Sequence, residues 1–170
     1  MNKVLEKLST GDLRSEGKSE EVAFEIIEYP PLLSELLQGL QSDIDLIRAR
    51  CCMTLEIISR YNPELLDDVL PQLIDLASRE KVAQARWHLA EIFENIVIPD
   101  GDVEEVIRIL LVYLNDKSRI VKYRSVQTLG VLGQRSKQCE YISETIQKMA
   151  DESRSMEKKV AKALKLLRGD

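Results

Sequence analysis

The chain has 170 residues, 44% hydrophobic and 31% charged, with seven glycines and five prolines, the make-up of one ordered domain able to bury roughly 70% of its unfolded surface. A net charge of −5 excludes a whole-surface basic field of the kind that gathers nucleic acid, and no run approaches the ~18 apolar residues of a membrane span. An opening without a signal-peptide core (MNKVLEKLSTGD) and an odd set of cysteines, Cys51, Cys52 and Cys139, point to a reducing, cytoplasmic setting without a disulfide framework.

In chain order, a short helix is expected near Val4 to Leu8 and a second from Ser19 to Glu28. Ser19 is the expected N-cap of the second, with Glu20 and Glu21 favoured by its helix dipole. Between them, Glu16-Gly17-Lys18-Ser19 contains the GKS of a phosphate-binding loop. It lacks the glycine five residues earlier, where Asp12 stands, and follows helical residues instead of a strand, so it reads as a loop leading into a helix.

From residue 29 onward the apolar positions fall at helical spacing and recur. Tyr29, Leu32, Leu33, Leu36, Leu37 and Leu40 form one stripe. Shifted by 37 residues it becomes Leu66, Val69, Leu70, Leu73, Ile74 and Ala77, and by another 37, Val103, Val106, Ile107, Leu110, Leu111 and Leu114. A last shift of 36 gives the more polar Cys139, Ile142, Ser143, Ile146, Gln147 and Ala150, as suits a terminal unit facing water.

A second helix follows each of these. Its apolar positions are Ile47, Cys51, Thr54, Leu55 and Ile58, then Ala85, Leu89, Ile92, Phe93 and Ile96. The later copies read Val121, Ser125, Thr128, Leu129 and Leu132, then Met156, Val160, Ala163, Leu164 and Leu167. A lone helix pair cannot cover its own stripe, so a period near 36 residues predicts an all-α solenoid. Four helix pairs span 29–170, residues 1–28 supply N-terminal helices, and the whole is expected as a single domain. Pro30, Pro31, Pro63 and Pro99 mark helix boundaries, and Ser118 and Ser155 are expected N-caps of the third and fourth second helices.

The second helices resemble the HEAT repeat, which shows an Asp before the helix followed by Val-Arg. The matching stretches are Asp43-Ile44-Asp45-Leu46-Ile47-Arg48 and Asp116-Lys117-Ser118-Arg119-Ile120-Val121-Lys122. The middle copy keeps Ala85-Arg86 without the Asp, and the last has Glu157 in place of the basic residue. GDLRSEGKSEEVAFEI, RWHLAEIFENI and SRIVKYRSVQTLGVLG are further similar to a group of small stand-alone prokaryotic HEAT-like proteins. The resemblance covers about residues 20 to 169. It implies a right-handed solenoid whose second helices line a concave face, structural roles for Arg48, Arg86 and Lys122, and a binding scaffold in place of an enzyme.

Trp87 and His88, the chain's one tryptophan and one histidine, lie off the apolar stripe of their helix. Trp87 matches Ala49, Tyr123 and Lys158 in the other copies. His88 matches Arg50, Arg124 and Lys159, which makes that row cationic. Trp, Tyr and Arg are the residue types enriched in binding hot spots, and Arg forks onto carboxylate or phosphate. Arg50, Trp87, His88, Tyr123, Arg124 and Lys159 are therefore the expected contact residues for a protein partner, an acidic or phosphorylated segment. The alternative is nucleic-acid binding or repair, since some HEAT-like proteins are alkylpurine DNA glycosylases; no matching catalytic Asp is found. His88 and Glu91 share a helix face, but without a second histidine no metal ligands, cofactor or catalytic residues are assigned.

Overall fold

The computed structural model describes residues 1–169 and is helical, with no strand among them. It falls into two compact units, Met1–Val97 and a second beginning at Ile98, with the boundary at the break before Pro99. No helix among the described residues is long and apolar enough to cross a membrane.

The first unit contains α1 (Lys3–Leu8), α2 (Ser19–Glu28), α3 (Leu33–Gln38), α4 (Asp45–Tyr61), α5 (Leu70–Arg79) and α6 (Ala83–Asn95). α4 is packed between α2 and α6, while α1 rests on α3. The two N-terminal helices thus take the places of a shortened first pair, with α2 where a second helix would stand. The second unit contains α7 (Asp100–Tyr113), α8 (Arg119–Leu132), α9 (Cys139–Gln147) and α10 (Arg154–Arg168). α8 there packs on both α7 and α10.

Every apolar position assigned to the four second helices is buried, the small and polar Cys51, Thr54, Ser125 and Thr128 included. Thr54 and Ser125 satisfy their hydroxyls within the helix, donating to the Arg50 and Val121 carbonyls at 2.8 Å. Gly130 lets α8 approach α10 closely: a Cβ there would lie 2.7 Å from Ala163 Cα. Protein interiors are packed as densely as organic crystals, so a side chain added where two helices already touch has no void to enter. The small residues are therefore a condition of the helix contact.

Three of the second helices begin with one device. The Ser42 hydroxyl accepts from the Ile44 N–H at 3.1 Å, Glu80 from the Val82 N–H at 2.8 Å and Asp116 from the Ser118 N–H at 2.7 Å. Ile44, Val82 and Ser118 are the N-caps of α4, α6 and α8. Six residues after each acceptor stands a basic side chain. Arg48 donates to the Ser42 carbonyl and to Glu80, Arg86 to the Lys81 carbonyl, and Lys122 to Glu152. Glu80, whose side chain is 1% exposed, supplies the acid that the sequence pattern lacks in the middle copy. Burial alone would raise its pKa, but the bonds from Arg48 and the Val82 and Lys81 N–H groups outweigh this and hold it below the ordinary carboxylate value.

Three boundary expectations are corrected. Ser19 is not the N-cap of α2: its N–H already bonds the Glu16 carbonyl, so Lys18 is the cap and the Ser19 hydroxyl is buried inside the first turn. Ser153, not Ser155, caps α10, accepting from the Met156 N–H at 3.1 Å, because the turn at Ala150–Glu152 ends in the extended backbone of Ser153. Tyr29 is 60% exposed and leaves the first stripe, since Pro30–Leu32 form a 3₁₀ turn whose period breaks the run. Ser118 caps α8, as its position predicts.

Candidate functional site

The first unit holds a pocket of about 290 Å³ between α4, α6 and the loop that joins α1 to α2. Leu13, Ala49, Met53 and Trp87 give it apolar walls, and Arg14, Ser15, Glu16, Arg50, Gln84 and His88 give it polar ones. The loop is shaped by two glycines in the left-handed region, Gly11 (φ 90°) and Gly17 (φ 53°). A Cβ at Gly17 would overlap Arg50 Nη1 where it stands, so a side chain there would have to displace the guanidinium.

The cationic row read from the helix register places Arg50 in the open, and the structure corrects this: Arg50 is 2% exposed. Its Nη2 donates to the Asp12 carbonyl at 2.8 Å and to the Ser15 hydroxyl at 3.0 Å. Its Nη1 is buried without a hydrogen-bond acceptor. Burial lowers its pKa from the ordinary value, partly offset by the Asp12 and Glu16 carboxylates, and a guanidinium stays charged through such a change. The periodicity of α4 gives no view of this burial, because the covering loop comes from 38 residues earlier.

Trp87 and His88 are partly buried and touch each other, ring centroids 5.3 Å apart and tilted by 57°. Trp87 therefore stands at the pocket wall, neither free in solvent nor sealed in the core. Behind it, His88 Nδ1 is buried without a hydrogen-bond partner and lies 3.7 Å from Glu91 Oε2. Glu56 of α4 joins them: one donor atom from each of Glu56, His88 and Glu91 lies within 4.8 Å of the others. Burial, reinforced by the Glu91 charge, raises the Glu56 pKa even though Arg60 and His88 pull the other way. The spacing of His88 and Glu91 is legible in the sequence, but Glu56 is not part of that reading. The available signal was a carboxylate inside the buried run from Thr54 to Ser59.

The remaining contact residues form a second group within the other unit. Lys159 Nζ stands 5.5 Å from the Tyr123 ring, and the Tyr123 hydroxyl lies 3.2 Å from the Ser153 hydroxyl. Arg124 is partly buried on α8 beside Tyr123. The structure thus brings Arg50, Trp87 and His88 together around one pocket, and Tyr123 and Lys159 together on the α8–α10 pair.

The same architecture recurs among solved structures. An engineered protein known from a crystal structure is similar over 98% of this chain and 80% of its own, with a TM-score of 0.69 and 16% identity. The chain is a helical repeat protein. A designed armadillo repeat protein also matches, over 96% of this chain and 98% of its own, with a TM-score of 0.45 and 13% identity. No protein-family model matches the repeats, and no characterised protein matches them by sequence. At 16% identity the likeness to the first of these establishes the fold alone and nothing about a ligand.

Proposed function

We propose that this chain is a non-catalytic, HEAT-like scaffold that binds an acidic or phosphorylated protein segment through the faces of its second helices. The observation that carries the reading is Arg50: a buried guanidinium at a pocket wall, with Nη1 lacking an acceptor. An unpaired donor of a buried cation is costly, and a carboxylate or phosphate oxygen entering the pocket would remove that cost. Trp87 offers the incoming chain a rigid apolar surface, and Arg14 adds a second positive charge. Tyr123, Arg124 and Lys159 provide a further strip of the same residue types on the other unit.

The test is binding of labelled Asp/Glu-rich and phosphoserine peptides, read by fluorescence anisotropy for the wild type, Arg50→Gln and Arg50→Lys. Arg50→Gln should weaken binding about tenfold or more, the usual consequence of truncating one side of a buried charge pair. Arg50→Lys should recover only part of it, because the forked geometry is lost. Far-UV circular dichroism guards against a folding defect. Indifference to Arg50→Gln, or no saturable binding by any peptide, overturns the reading. So would preferred binding of duplex DNA with affinity falling steeply with salt.

A further inference from the structure

The cluster behind the pocket has a chemistry of its own. Two carboxylates and an imidazole nitrogen converge between α4 and α6, all in one unit. Glu56 is 8% exposed at its side chain, His88 12% and Glu91 17%, so little water reaches them. Buried carboxylates repel each other, and a buried ring nitrogen without a partner forfeits a hydrogen bond. At 3.7 Å, Glu91 Oε2 is too far from His88 Nδ1 to supply it. The cluster thus sets a buried, unsatisfied ring nitrogen beside two carboxylates, a mixed nitrogen and oxygen donor set suited to a metal cation.

We propose that Glu56, His88 and Glu91 form a binding site for a single divalent cation of the zinc class. The donor set decides the class. Imidazole nitrogen suits zinc, cobalt, nickel and iron, whereas calcium and magnesium take oxygen alone. Three protein donors are fewer than the four of a closed structural zinc site, so solvent completes the shell.

The geometry requires a modest contraction. Donors on one zinc ion at ~2.1 Å stand roughly 3.4 Å apart in a tetrahedron, and those present here lie within 4.8 Å of one another. Both carboxylates sit on side chains with several rotatable bonds, which can close that gap without backbone movement. Arg60 competes, its Nε 2.8 Å from Glu56 Oε1. It is half exposed, however, so it can swing toward solvent or stay on the second oxygen as the hydrogen-bonded partner that ligating carboxylates commonly keep. Binding requires both carboxylates ionised and a free lone pair on Nδ1, so uptake strengthens with rising pH and releases protons.

Trp87 reports on the site directly, its indole centroid being 5.3 Å from the His88 ring. Full-length protein freed of metal by chelator would be titrated with Co²⁺, with Trp87 emission and the visible absorption of the cobalt ion both recorded. Calorimetry with Zn²⁺ would give the stoichiometry. The expected result is saturable quenching at one Co²⁺ per chain, displacement by Zn²⁺, and a Zn²⁺-dependent rise in melting temperature. Glu56→Gln, Glu91→Gln and His88→Ala should each weaken binding about tenfold or more. Melting of each variant in chelator checks that it is folded, and the two isosteric glutamine variants keep the test open should His88→Ala fail to fold. Wild-type affinity in any folded variant overturns the assignment, as does the absence of saturable one-to-one binding at submillimolar metal. Peptide binding through Arg50 is measured in chelator, so either proposal can fail alone.

Discussion

Two glycines in the second unit should respond oppositely to the same substitution. In α8, a Cβ on Gly130 would stand 2.7 Å from Ala163 Cα, 2.8 Å from its Cβ and 3.2 Å from its carbonyl oxygen. Ordinary carbon contacts lie at ~3.5–4.0 Å, and the atoms in the way belong to α10's backbone and first side-chain carbon, so no rotamer change relieves the overlap. Gly130→Ala forces the two helices apart by roughly 1 Å, the shortfall against that ordinary separation. Overpacking of that kind costs about 1–3 kcal/mol, against a gain of about 1 kcal/mol in helix propensity. The expected net loss is up to about 2 kcal/mol, or a fall of up to roughly 6 °C in melting temperature for a chain of this size. Gly101, in the first turn of α7, has nothing within 4 Å of its missing Cβ. Gly101→Ala should therefore gain up to about 1 kcal/mol. Thermal unfolding followed by circular dichroism measures both. Equal shifts in the two variants, or a more stable Gly130→Ala, would refute the claim that the α8–α10 approach depends on the absent methyl.

The other predictions concern charge and thiols. Glu80→Ala removes the acceptor of Arg48 and of two backbone N–H groups from a buried side chain, and should cost about 2–4 kcal/mol in urea unfolding, with Glu80→Gln costing less. The pH response should have two opposed parts. Glu80, with its folded pKa lowered, contributes stability that is complete above the ordinary 4.5 and lost as pH falls through the lower folded value. Glu56, with its folded pKa raised, contributes stability that is complete below 4.5 and lost as pH rises through the raised value. In chelator, Glu56→Gln should therefore raise the melting temperature at neutral pH and lose that advantage in acid; no gain at neutral pH would contradict the assignment. Burial pushes the Cys51 thiol up to about 12 and Cys52 well above its ordinary value, so a thiol reagent should label Cys139 in the native protein and all three cysteines only in denaturant. Prompt native labelling of the Cys51-Cys52 pair would count against their burial.

The second helices were the most legible part of the sequence because one physical requirement dominates them. A helix packed on both flanks must bury the same positions in every turn, and Ile47, Cys51, Leu55 and Ile58 do so in α4, between α2 and α6, as their spacing demands. Helix starts were harder, because several hydroxyls compete within a few residues and the winner depends on the turn before. Ser153 prevails over Ser155 for that reason. The candidate site was legible in residue type only. Periodicity places Arg50 and Trp87 off the stripe, but the loop that buries Arg50 comes from a distant part of the chain and carries no periodic signal. Glu56 was hidden differently: it sits among apolar neighbours on one helix, and its meaning appears only when α6 brings His88 and Glu91 against it.

The oxygen placed two residues ahead of each of three N-caps has an evolutionary consequence. Ser42, Glu80 and Asp116 differ in size, charge and reach, yet each meets the same N–H. Selection at that position acts on a direction in space, satisfied by many letters, so repeated units can drift apart in spelling while their helices still start in register. A copy written without its aspartate, as the middle one is, lacks the visible mark of kinship with its neighbours and none of their geometry.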